Sequence, residues 1–104
     1  MEIVERSPEQ VLRAMLRTFV GAALLHAGDP RAVEQLARAR EEALTRGEVW
    51  WLAETLRLSA LADEQFGDGT RAAALRAEAV ELAREQGTYL ILARLQGESA
   101  AASA

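Results

Sequence analysis

The chain contains itself twice. Laid over residues 71–93, residues 31–53 are identical at nine of twenty-three positions: Arg31/Arg71, Ala32/Ala72, Ala37/Ala77, Ala39/Ala79, Glu41/Glu81, Ala43/Ala83, Gly47/Gly87, Leu52/Leu92 and Ala53/Ala93. An offset of roughly forty residues belongs to helix-pair solenoids, where each repeat is a hairpin that cannot bury its apolar face alone and stacks on the next. The expected fold is all-α, a stack of antiparallel helix hairpins with about five helices.

Helix punctuation places the elements. Ser7-Pro8-Glu9-Gln10 supplies a side-chain cap, a first-turn proline and a Gln positioned to close a capping box, so helix 1 starts there and runs to Ala27. Gly28-Asp29-Pro30 ends it, with Gly28 in a left-handed C-terminal position, and opens helix 2, Pro30 to Arg46. Gly47 stops helix 2, and helix 3 covers Glu48 to Phe66 before the break Gly67-Asp68-Gly69-Thr70. Helix 4 spans Arg71 to Gln86, and Gly87-Thr88 precedes helix 5, which begins near Tyr89 and fades into a Ser/Ala tail. The chain divides into a lead 1–7, a single repeat domain 8–98 (8–46, 48–86 and a closing helix 88–98) and a flexible tail 99–104. The apolar run Tyr89 to Leu92 tolerates a strand, but its place in the repeat makes it helical.

The repeated alanines have a packing role. Ala32, Ala39 and Ala43 in helix 2, and Ala72, Ala79 and Ala83 in helix 4, recur at spacings of seven and four and so form one stripe. Small side chains there let helix axes approach closely, and Gly21 and Ala60 hold equivalent places in helices 1 and 3. Alternatively, alanine serves only as a helix former, although propensity predicts no fixed phase.

Composition narrows the function classes. With 104 residues the chain forms one small domain, and its formal charge of −4 offers no general attraction to a phosphate backbone or an anionic membrane. No cysteine is present, which removes disulfides and thiolate metal sites. The longest apolar stretch, Phe19 to Ala27, is far below the ~20 residues of a membrane span, and Met1 to Ser7 has no signal-peptide core, so a cytoplasmic setting is expected. All twelve basic residues are Arg, consistent with a bacterial coding bias.

Nothing in the chemical inventory points to catalysis. The single His26 closes helix 1, where the dipole favours a cation, and no phosphate loop or metal-ligand spacing occurs, so no catalytic, metal or cofactor residue is assigned. Glu41-Glu42 and Asp63-Glu64 are adjacent pairs whose side chains diverge, and they are read as solvated faces.

A glycine and aspartate between two helices, a small residue midway along the first and spaced alanines in the second resemble a tetratricopeptide (TPR) repeat. Where that pattern favours a large aromatic, this chain has Arg17 and Leu24, then Leu56 and Asp63, and its period is longer. Both departures resemble the degenerate TPR-like repeats of MalT-type and LuxR-type bacterial regulators and related signalling ATPases. The segment from Gly47 to Leu58, with Trp50-Trp51 before an acidic residue and Arg57-Leu58, is similar to one common in those proteins, as is Ala83-Arg84-Glu85-Gln86-Gly87 followed by Leu92-Ala93-Arg94-Leu95. The resemblance covers residues 28–95 and implies a TPR-like α-α superhelix whose odd-numbered helices line a concave groove. The matching residues are Met15, Thr18, Ala22 and Leu25 from helix 1, Glu54, Arg57, Leu61 and Glu64 from helix 3, and Arg94. Trp51 is expected inside with Trp50 at the rim of that groove, the converse arrangement remaining open.

Helix 1 carries Val11, Leu12, Met15, Leu16, Phe19, Val20, Leu24 and Leu25, more apolar residues than one neighbouring hairpin can cover. Either the chain self-associates as a homodimer through Val11, Leu12, Leu16 and Phe19, or further repeats precede it, or helices 2 and 3 together bury helix 1. Two functions stay open. One is a protein-interaction module of TPR type from a bacterial transcriptional or signalling regulator, binding a protein or peptide and not nucleic acid or membrane. The other is a small-molecule sensing arm of such a regulator, with the effector held near Arg57 and Trp50.

Overall fold

The structure is a computed structural model that describes residues 13–47 and 49–103; the side chains of residues 50, 89 and 99–103 lie outside the description. Among these residues five α-helices follow one another, with no strand: α1 Arg13–His26, α2 Ala32–Arg46, α3 Leu52–Phe66, α4 Gly69–Gln86 and α5 Tyr89–Ser103, with a 3-10 turn Val49–Trp51 leading into α3. The all-α hairpin architecture expected from the repeat is what forms. α1 packs along α2 and α3 along α4, and α2 meets α3 between the two hairpins. α1 also touches α3 and α3 touches α5, so the odd-numbered helices are neighbours.

The repeat is a structural identity as well as a sequence one. Gly47 and Gly87 both adopt left-handed backbone, at φ 70° and 69°, and each closes its helix by bonding back to the equivalent carbonyls of Ala43 and Leu44 or Ala83 and Arg84. Glycine takes this conformation without the clash that a Cβ would bring. The Gly28 end has the same form, with the Asp29 N–H donating to the Leu24 carbonyl at 2.8 Å. The second turn differs: Gly67, at φ −127° and ψ −132°, is not left-handed, and Asp68 caps α4 by accepting from the N–H groups of Thr70 and Arg71, at 2.8 and 3.3 Å. α4 therefore begins two residues earlier than the sequence predicts. α5 continues to Ser103 instead of fading at Ser99, because the stretch is rich in alanine and meets no proline. The expected helix 1 start at Ser7 to Gln10 lies outside the described residues.

All six stripe alanines are buried to 1% exposure or less. Ala60 is equally buried, and an added Cβ on Gly21 would lie 2.5 Å from the Leu36 side chain. The spaced alanines are thus helix-contact positions, and helix propensity alone does not account for their phase. They clear room for α3, which is buried along most of its length. On one side of it Leu52 and Leu56 meet Ala14, Ala43, Ala79 and Leu95; on the other Leu58 and Ala62 meet Ala32 and Leu36.

Candidate interaction surfaces

Four of the nine expected groove residues join a single run of ion pairs across α3, α4 and α5. The Arg57 guanidinium donates to Glu54 through Nε at 2.5 Å and Nη2 at 3.1 Å, and through Nη1 to Glu98 at 2.6 Å. Glu98 also accepts from Arg76 at 3.0 Å, Arg76 reaches Glu64 at 2.6 Å, and Arg94 reaches Glu54 at 3.4 Å. Burial opposes the Arg57 charge, but the hydrogen bonds and negative charge of Glu54 and Glu98 outweigh it and raise the guanidinium above its ordinary range. Arg57 is buried and held from two sides, so its donors already have carboxylate partners.

The remaining groove residues are drawn into the interior to different degrees. Thr18 is fully buried: its hydroxyl donates to the Ala14 carbonyl and shares a 2.8 Å bond with the Thr55 hydroxyl. It is a core residue and lines no open surface, because α1 crosses α3 at that point. Ala22, Leu25 and Leu61 pack against the Leu36–Leu58 cluster, and Met15 is half-buried on α1. The backbone of Trp50 lies in the 3-10 turn and its side chain is outside the description. Trp51 is half-buried and meets Phe19 edge to face, with ring centroids 5.6 Å apart.

Two carboxylates read as solvated are not. Asp63 is buried, and Arg71 from the start of α4 clamps it with two bonds of 2.7 and 2.8 Å. Hydrogen bonding and charge from Asp63 raise the Arg71 guanidinium above its ordinary range. Glu42 is half-buried and accepts from Arg17 at 2.9 Å, while Arg17 also donates to Gln35 at 3.1 Å. At Arg17 and Asp63, the positions aligned above with the aromatics of the TPR pattern, the side chain makes an ion pair to the following helix. The neighbour pairs do diverge: Asp63 turns to Arg71 and Glu64 to Arg76. Among the described residues no three acidic or histidine side chains converge as a metal site, and no helix is long and apolar enough to cross a membrane.

Among the described residues, two open surfaces gather several large apolar side chains. On α1, Leu16, Phe19 and Val20 are each about half exposed, at 49%, 49% and 50%; Leu16 and Val20 lie beside Arg13, Arg17 and Gln35 along one edge. Of the expected self-association residues, Leu16 and Phe19 are on this surface; Val11 and Leu12 lie outside the described residues. The second surface, absent from the sequence reading, is a groove of about 330 Å3 formed by Leu44 of α2, Val49 of the turn, Leu52 and Leu56 of α3, and Leu82 of α4, with Glu78, Glu81 and Glu85 along its rim. Its only signal in the sequence is the Glu-x-x-Glu-Leu-x-x-Glu spacing of residues 78–85, one stripe of α4.

The fold and these surfaces define a helix-hairpin stack with apolar contact faces. No protein-family model, curated protein or solved structure matches the chain.

Proposed function

We propose that this chain is a protein–protein interaction module of TPR type, from a bacterial transcriptional or signalling regulator, and that it self-associates through the outer edge of α1. The observation that carries this reading is the row Leu16, Phe19 and Val20, half exposed on a helix whose other side already packs on α2. Three large apolar side chains left together in water make a surface that gains by being covered. The effector-sensing alternative has less support, since Arg57, its expected anchor, is bound by Glu54 and Glu98.

Light scattering of the full chain over a wide concentration range tests the proposal. The expected mass exceeds the 11.3 kDa of one copy and falls to it in the variant Leu16→Glu/Val20→Glu, with helicity by circular dichroism unchanged. A wild-type chain that stays at one copy throughout would remove self-association from the reading.

A further inference from the structure

The acid-rimmed groove and the α1 edge are complementary in both apolarity and charge. Along α1, Arg13, Leu16, Arg17 and Val20 occupy positions i, i+3, i+4 and i+7, and no carboxylate occurs anywhere in that helix. Along α4, Glu78, Glu81, Leu82 and Glu85 repeat the same spacing with the opposite charge. Each row covers about 10 Å of helix. Behind the acidic row the groove floor is aliphatic, and Leu44 and Val49 at its mouth are 49% and 42% exposed. Glu78 has a cation of its own, Arg40 at 3.0 Å. Glu81 and Glu85 are exposed and have no ion pair among the described residues. On the other surface, Arg17 is held inside by Glu42, whereas Arg13 is the more exposed cation, 3.9 Å from the same carboxylate.

We infer that the α1 edge of one copy docks into the α2–α3–α4 groove of a second copy, with Leu16 and Val20 against Leu44, Val49 and Leu82, and Arg13 facing Glu81 and Glu85. This rests on the reading of α1 as a self-association surface and gives that surface its partner. A contact of α1 with α1 would set Arg13 and Arg17, which already share Glu42, against the same two cations, whereas α1 on the groove brings the exposed Arg13 to Glu81 and Glu85. We take the contact as heterologous, with copies joined head to tail, so that the mass does not stop at two copies as it would if two reciprocal edge–groove contacts closed on a two-fold axis.

Mixing two disabled chains tests this directly. Leu16→Glu/Val20→Glu disables the edge and keeps the groove; Leu44→Glu/Val49→Glu disables the groove and keeps the edge. By light scattering the wild type is expected to pass beyond the two-copy mass as concentration rises, each variant alone to remain at one copy, and their equimolar mixture to stop at two. A third variant, Glu81→Arg/Glu85→Arg, changes exposed residues only and is expected to weaken association about tenfold. If groove variants retain the wild-type mass while the edge variant loses it, self-association through α1 stands and the groove assignment falls. A mixture that stays at one copy also overturns the head-to-tail contact. A wild type that never exceeds one copy overturns both readings.

Discussion

Gly21 shows how narrow the tolerance is at a single residue. Its missing side chain is filled by Leu36, which is fully buried, so Gly21→Ala must displace that leucine. Overpacking of about 1–3 kcal/mol outweighs the roughly 1 kcal/mol that alanine gains in helix propensity, and a lower urea midpoint is the expected outcome. Asp63 presents the electrostatic version. Its carboxylate is out of water and, among the described residues, paired with Arg71 alone, so Arg71→Met leaves a buried charge without compensation. The midpoint should drop in Arg71→Met and recover in part when Asp63→Asn is added; equal midpoints in the single and double variants would show that the pair contributes through packing only. No local pattern marks this pair, because Asp63 and Arg71 sit on different helices and meet only once the Gly67–Gly69 turn has set their relative direction.

At the scale of the element, helix ends were legible and helix environments were not. Gly28, Gly47 and Gly87 stop helices in the conformation their sequence context predicts, because capping involves only the few residues nearest the terminus. Gly47→Ala and Gly87→Ala are each expected to cost about 1 kcal/mol, nearly equally and additively, since the two caps share one geometry and lie in separate hairpins. Unequal costs in urea denaturation would mean that the two repeats are not equivalent in energy. α3 is where local reading failed: Asp63 reads as solvated in sequence, yet it is buried, and so are Thr55, Arg57 and Ser59. α3 has α2 on one side and α4 on the other, with α1 and α5 against it as well, so little of its circumference is left for solvent.

Across the whole molecule, the charge run Arg94–Glu54–Arg57–Glu98–Arg76–Glu64 fastens α5 to the body. Isolated surface pairs contribute little, but here Glu98 serves two guanidinium groups that are themselves mostly buried, and a shared carboxylate couples them. Glu98→Gln is expected to speed amide hydrogen exchange selectively in α5 while α1 to α4 keep their protection. Uniform acceleration would indicate that α5 unfolds only together with the rest. The same network bears on what the surface can do: with Arg57 occupied, the α1 edge and the acid-rimmed groove are the larger apolar surfaces among the described residues.

Local rules determined the helix-hairpin stack. Cap residues, the alanine stripe and the forty-residue offset act over a few turns or repeat along the chain, so they can be read without knowing how helices cross. Tertiary structure decided which charges are buried and which apolar residues stay in water. Arg57 meets Glu98 forty-one positions away and Arg40 meets Glu78 thirty-eight away, distances at which neither propensity nor periodicity constrains the partner. Whether a leucine such as Leu44 lines an open groove depends on the spacing between α2 and α4, which is set by how closely their alanines let both helices approach α3.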